Sequence, residues 1–483
     1  MPVVDIPFGE WLPSAPSFKN PGCVVADNVI PAAGGSYKPF PAPVVSAGAD
    51  GPVKGAQQLF DNAGNSILVG GTATKLFTRR TSLAATSGYT AIPTGEYWDF
   101  ARFNDFVIAT GVGNSPQYLS DIDTDDTWSA LPGTPPVAKR VAKVGEFLML
   151  GCIANAPNRI QWSAFNNPGG TWGTDRLTQS GLADLDSQFG EVMRIVGGRY
   201  AIVFQERGIQ RLSYVGPPLV WRADVIEQDR GCIAPMSVVP VGYLAFFLAQ
   251  DGFYITDGSS VQPIGTSRVN RWFFDNVDQL RIGEVCGAID WENEAVIWAF
   301  PSSNGVGLDR VMVFSWAQQR WSSATISVDC FVGSQVDGVS LEALDAIYGD
   351  LENIPGSLDD PEFAPGSRVL AAFIDGDYAT FSGSPLEATW QTGEAQPSPT
   401  QRSFVSEVHP LIQATNWDTQ ISIAMRDNRG GQVFSPLKET GWSGFAPVRG
   451  EGQKVAIRMI KPAGSDWSEA QGVQVRYSGA GVR

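Results

Sequence analysis

A single histidine, His409, sits in the run EVHP at 407–410, and that restricts the chemistry open to this chain. A Ser-His-Asp or Cys-His triad has to use that one residue, and no GxSxG turn exists to present a serine to it. The zinc-protease motif HExxH needs two histidines and is excluded. Five cysteines, Cys23, Cys152, Cys232, Cys286 and Cys330, are scattered without any CxxC pair, so the spacing writes neither a metal site nor a redox dithiol. An odd number cannot all pair with one another, and reduced thiols buried as small hydrophobes are expected. Read plainly, His409 is a strand-end residue held extended by the proline that follows it.

The densest carboxylate cluster is DIDTDD at 121–126. An EF-hand loop wants Gly at its sixth place and a bidentate Glu at its twelfth; here those places hold Asp126 and Pro132, so the pattern fails. An exposed acidic turn is expected, with a calcium site of another kind as the alternative. Extended to Thr127 and Trp128, the same stretch resembles the Asp-box hairpin of sialidase propellers, Ser-x-Asp-x-Gly-x-Thr-Trp. FNNPGGTW at 165–172 repeats the theme with Asn167, Gly169, Thr171 and Trp172. The first copy lacks the Gly, the second the Asp, and both lack the leading Ser. In such a hairpin the side-chain oxygen caps the turn and the Trp fills a gap between sheets, so the motif speaks for a fold and not for catalysis.

Other chemistry is missing from the spacing. No GxxxxGK[ST] and no strand-to-helix GxGxxG is present, and the densest basic pairs are Arg79-Arg80 and Lys139-Arg140. With 34 Lys+Arg against 50 Asp+Glu, the net charge is −16, which argues against a protein that grips nucleic acid through its phosphates. It does not argue against one that DNA slides past. The opening MPVVDIPF has neither a basic segment nor an apolar one, so a product made without export is expected. The apolar run YLAFFL at 243–248 is far shorter than a membrane span. No catalytic, cofactor-binding or metal-binding residue is assigned, no cofactor is expected, and the chain reads as a non-enzyme.

The elements behind these residues are short apolar strands broken by Gly, Asn or Asp. Examples are QQLFDNAGNSILVG at 57–70, FARFNDFVIAT at 100–110 and KRVAKVGEFLMLG at 139–151. MRIVGGRYAIVFQ at 193–205, SVVPVGYLAFFLA at 237–249 and GAIDWENEAVIWAF at 287–300 continue the series. Each reads as a hairpin. Units begin near residues 57, 100, 139, 193, 237, 287 and 368, a recurrence of roughly 40–50 residues, which is the period of β-propeller blades. Trp128, Trp172, Trp316 and Trp321 close units and are expected to pack between neighbours.

The predicted fold is all-β: residues 51–383 form a propeller of about seven blades, with six or eight fitting nearly as well. Unrelated hairpins in one or two sandwiches are the alternative. Residues 341–368, polar, acidic and rich in Pro and Gly, are expected as a surface excursion between blades. Residues 384–483 hold five alternating segments of a small antiparallel β-sandwich, and in TQISIAMRD the residues Ile421, Ile423 and Met425 share one face. Residues 1–50, proline-rich and without alternation, read as an extended arm that either completes the ring or reaches a partner.

Several runs together resemble the tail hub or nozzle proteins of short-tailed phages, also called packaged-DNA stabilisation proteins or tail tubular protein B. They are FNDFVIAT, VGEFLMLG with IQWSAFNNP, FQERGIQRLSYVGPP, GCIAPMSVVPVG, FFLAQDGFYITDG with PIG, and WFFDNVD with AIDWENEAVIWAFPS. The opening IPFGEWLPSAP with NPG and the acidic PGSLDDP are similar in kind, and the resemblance runs from about residue 5 through the terminal sandwich. It implies a virion structural protein: a subunit of a homohexameric ring below the portal and adaptor, or head-tail connector. That ring continues the channel, retains packaged double-stranded DNA, and lets it pass at ejection without sequence-specific binding. Tail-fibre or distal tail proteins are the further implied partners, no membrane span is implied, and the place is the phage tail after synthesis in the host cytoplasm. The family implies no catalytic residues. Two alternatives stand beside it: a carbohydrate-binding or sialidase-like propeller at the host surface, and a collar piece whose sandwich recruits fibres.

Overall fold

The computed structural model describes residues 2–46, 48–80, 83–333, 369–398, 401–427 and 431–480. Among them, seven antiparallel sheets repeat one plan, in which a short first strand is followed by three others in order. The first strands are Ala56–Phe60, Asp99–Phe103, Ala138–Val144, Val192–Val196, Val239–Val241, Cys286–Asp290 and Cys330–Gly333. Each first strand, or the turn leading into it, packs beside that of the next sheet, and the seventh packs beside the first. The fold is a seven-bladed β-propeller with a β-sandwich joined to its sixth blade.

The sequence makes blades because the second strands are mostly apolar. Phe147–Ile153 and Ala295–Phe300 are buried along their whole length, as strands covered on both faces must be. Gaps between blades hold separate apolar clusters: Trp128 packs among residues of blades 1 and 2, Trp172 among those of blades 2 and 3. Trp321 of blade 6 lies 5.2 Å from the Phe253 ring of blade 5. Tight turns carry the residues their geometry needs. At Asp375-Gly376, between Ile374 and its partner Asp377, φ is 51° and 90°, the paired positive values of a type I′ hairpin.

Blade 7 departs from the expected layout. Its first strand, Cys330–Gly333, precedes the acidic stretch and its second, Leu370–Ile374, follows it, with Gly333 paired to Leu370. The stretch therefore interrupts one blade where the sequence placed it between two; residues 341–368 themselves lie outside the described residues. A four-residue strand standing alone is too short to announce itself by alternation.

The fourth strand of blade 7 comes from the other end of the chain. Pro41–Ser46 pairs with Asp377–Pro385 in the register Ser46 to Tyr378 and Pro43 to Phe381. Earlier residues are strands as well: Val3–Pro7 pairs with Trp467–Ala480, and Cys23–Asp27 lies between the outer edge of blade 6 and Ala388–Thr392. A nine-stranded sheet thus runs from the propeller axis, through Cys23–Asp27, into the sandwich. Its facing sheet contains Arg402–Ala414 and Trp467–Ala480. Phe8, Trp11, Trp390 and Trp467 belong to the same apolar cluster as Trp298 and Trp321 of blade 6, so propeller and sandwich share a core.

Candidate functional site

The first strands surround a cavity of roughly 340 Å³ on the propeller axis, lined among others by Phe60, Asp99, Arg194, Met236, Trp291 and Phe331. Its charges come from two blades. Arg194 of blade 4 places Nη1 2.6 Å from Oδ1 of Asp99 in blade 2, while Oδ2 of Asp99 accepts the Val141 N–H of blade 3 at 3.1 Å. One buried carboxylate therefore ties three blades.

A second cluster joins the first strand Ala138–Val144 to the connections leading into its two neighbours. Lys139 Nζ donates to Glu96 at 2.6 Å and lies 3.7 Å from Glu191. Arg140, whose side chain is only 3% exposed, donates from Nε to the Met193 carbonyl at 2.6 Å and approaches Glu96 at 3.6 Å. Burial draws the Lys139 ammonium down, yet the Glu96 hydrogen bond and the neighbouring acidic groups outweigh it and hold its pKa above the usual value. The Cys152 thiol, 3.6 Å from Glu191, is pushed up to about 12, chiefly by burial and then by that carboxylate. A thiol so shifted stays protonated and is a poor nucleophile. Each cation of this cluster faces a carboxylate, an arrangement suited to fixing blades relative to one another.

The structure separates the residues that the sequence singled out. His409 lies inside Arg402–Ala414, its Nδ1 2.7 Å from the Gly444 carbonyl and its ring 4.9 Å from Phe445, in the sandwich and far in sequence and fold from the axis. The acidic turn spends its carboxylates locally. Asp121 accepts the Asp123 N–H at 2.9 Å and the Thr124 hydroxyl at 2.8 Å; Asp126 pairs with Arg80 at 3.0 Å. Asp123 accepts the Asn62 N–H of blade 1 at 2.8 Å. In the second Asp-box-like turn, Trp172 is buried and donates from Nε1 to the Pro168 carbonyl at 3.0 Å. Both turns are structural staples. All five cysteines are free and buried. No group of His, Cys, Asp and Glu among the described residues is arranged to hold a metal ion, and no helix there is long and apolar enough to cross a membrane.

Asp99, Glu96, Glu191 and Arg194 carry no motif in the sequence. Glu96 and Glu191 precede first strands, Asp99 opens one and Arg194 stands in the middle of another; nothing local distinguishes such a group from a solvated one, and only ring closure brings them together.

No family model matches the chain, and no curated protein matches it in sequence. Solved structures similar to it include two WD40 propellers and YCF48. YCF48 bound to D1 peptide aligns at 11% identity and a TM-score of 0.39, over 73% of this chain and 97% of that one. The RRP9 WD40 repeats align at 7% identity and a TM-score of 0.39, over 61% and 88%. The Pan2 WD40 domain of Neurospora crassa aligns at 9% identity and a TM-score of 0.39, over 69% and 89%. The propeller assignment itself rests on the sheet order of this chain.

Proposed function

We propose that this chain is a virion structural protein: a subunit of the tail hub or nozzle ring of a short-tailed phage, assembled as a homohexamer below the adaptor. In that place it continues the channel, retains packaged DNA and conducts it at ejection. The observation that carries the reading is the continuous nine-stranded sheet, which makes propeller and sandwich one stiff block. A wall that must stand against packaged DNA needs blocks of this kind, and closed point-group rings are the common way to tile them. The family-like runs in the sequence and the net charge of −16 support it, since a lumen wall that attracted phosphate would hold the genome it must release.

The axis cavity holds a small molecule at most, so in this reading the DNA passage lies between subunits. The sialidase-like alternative needs a mouth of converging free arginines, and Arg194 and Arg140 there face Asp99 and Glu96. The test is complementation of a phage lacking this gene. The expected result is heads that fill and then lose their DNA to added nuclease unless the protein is supplied. Heads that keep protected DNA without it contradict the proposal.

A further inference from the structure

The first-to-second-strand turns of blades 3, 4 and 5 enclose a groove to which the bonds described above give no role. Gly145 N–H donates to the Gly198 carbonyl at 2.7 Å, stitching the turn of blade 3 to that of blade 4. Beside this seam lies a depression of about 430 Å³ walled by five aromatic rings, Phe147, Phe165, Tyr200, Tyr214 and Trp221. Phe147 and Trp221 form its floor, edge to face at 5.5 Å. Phe165 and Tyr214 stand 48% and 45% exposed, held at 5.4 and 5.8 Å from the Phe147 ring. Arg199 and Tyr200 also line a second depression, of about 270 Å³, which reaches Tyr243 on the blade 5 turn, 74% exposed. Exposed Arg199 and Glu146 form no ion pair among the described residues.

From these features we infer that the two depressions are adjoining subsites for an oligosaccharide. A pyranose presents a face of C–H groups that stacks on an aromatic ring, and an edge of paired hydroxyls that suits the flat, two-pronged guanidinium and carboxylate groups. The groove offers both, on rings fixed by their own packing, so little ordering has to accompany binding. Two subsites sharing one wall suit a chain of sugars. An extended peptide fits less well. It binds by adding to a sheet edge, whereas this groove is built from hairpin turns, with glycines at 145, 197, 198 and 242 among its lining residues. The inference does not depend on the conduit reading and goes beyond it.

The test uses the full chain on arrays of bacterial surface polysaccharides and, in parallel, of peptides, followed by calorimetry with di- and hexasaccharides of the best polysaccharide. Retention of polysaccharide is expected, with the hexasaccharide tighter than the disaccharide. Arg199→Ala is expected to weaken both by about tenfold, the worth of one charge-assisted hydrogen bond, at an unchanged melting temperature. Tyr243→Ala is expected to weaken the hexasaccharide alone. Failure to retain any polysaccharide, binding indifferent to Arg199→Ala and Tyr214→Ala, or groove-dependent capture of peptides in place of glycans overturns the inference.

Discussion

Arg320 shows how much of this fold hangs on single side chains. It stands on the outer strand of blade 6, donates to the carbonyls of Ala32, Ser36 and Gly35 at 3.0, 2.9 and 3.1 Å, and also to Gly9. Its guanidinium lies 4.5 Å from the Tyr37 ring centroid. Arg320→Ala therefore releases the turns at Gly9 and at Ala32–Ser36 from blade 6, while Cys23–Asp27 stays paired to it, and is expected to cost about 3 kcal/mol, since hydrogen bonds to a charged group contribute roughly 1.5–3 kcal/mol. Arg320→Lys recovers little, because an ammonium cannot spread over four carbonyls. Thermal melting of the two variants checks this. Asp99→Ala makes a similar case: it leaves Arg194 unanswered beside the axis and is expected to cost about 3 kcal/mol, while adding Arg194→Met restores much of the loss. A double variant no more stable than Asp99→Ala would show that the pair does not act as a pair. Neither residue was legible in the sequence, where Arg320 is the last of three polar residues before Trp321, and its partners lie about three hundred positions away.

At the scale of elements, hairpins were legible and closure was not. Runs such as VGEFLMLG carry their own turn and their own apolar faces. Pro41–Ser46, with four prolines or valines in its six residues facing a strand that begins at Asp377, carries no sign of its partner. A chain lacking residues 1–46 is expected to lose the fourth strand of blade 7 and the bridge to the sandwich together, giving a broad, low-temperature melt; a sharp transition at the full-length temperature would show that the ring closes without it. The sandwich has its own pH signature. Glu394, buried, bonds Arg426 at 2.6 Å and Gln432 at 2.7 Å. The Arg426 hydrogen bond comes first among the causes holding its carboxyl below the usual range, against an opposing effect of burial. A lowered folded pKa gives stability that is present above the unfolded value of about 4.3 and is lost as pH falls through the folded value. Melting temperature should thus fall below about pH 4, and Glu394→Gln should be less stable at neutral pH with a shallower acid limb.

At the scale of the whole molecule, the period of the hairpins gave the propeller, and the change of rhythm after residue 384 gave the sandwich. Their fusion was hidden. Cys23–Asp27 is covered from several sides and follows no two-residue pattern, so it read as part of an arm. The fusion has a consequence for dissecting the collar alternative: removing residues 384–483 also strips the partner of Cys23–Asp27 and damages blade 6. The cleaner variants are Trp417→Ala and Trp442→Ala, at rings 57% and 92% exposed on the sandwich. If the sandwich recruits fibres, these particles keep their DNA and lack fibres; particles with a full set of fibres remove that role. The proposal that the block stands in a phage tail is tested directly by electron cryomicroscopy of virions that contain the protein. It predicts six copies of the seven-bladed disc with its attached sandwich, ringed below the adaptor around a central duplex. Density that places the propeller elsewhere, or finds none in the tail, would contradict it.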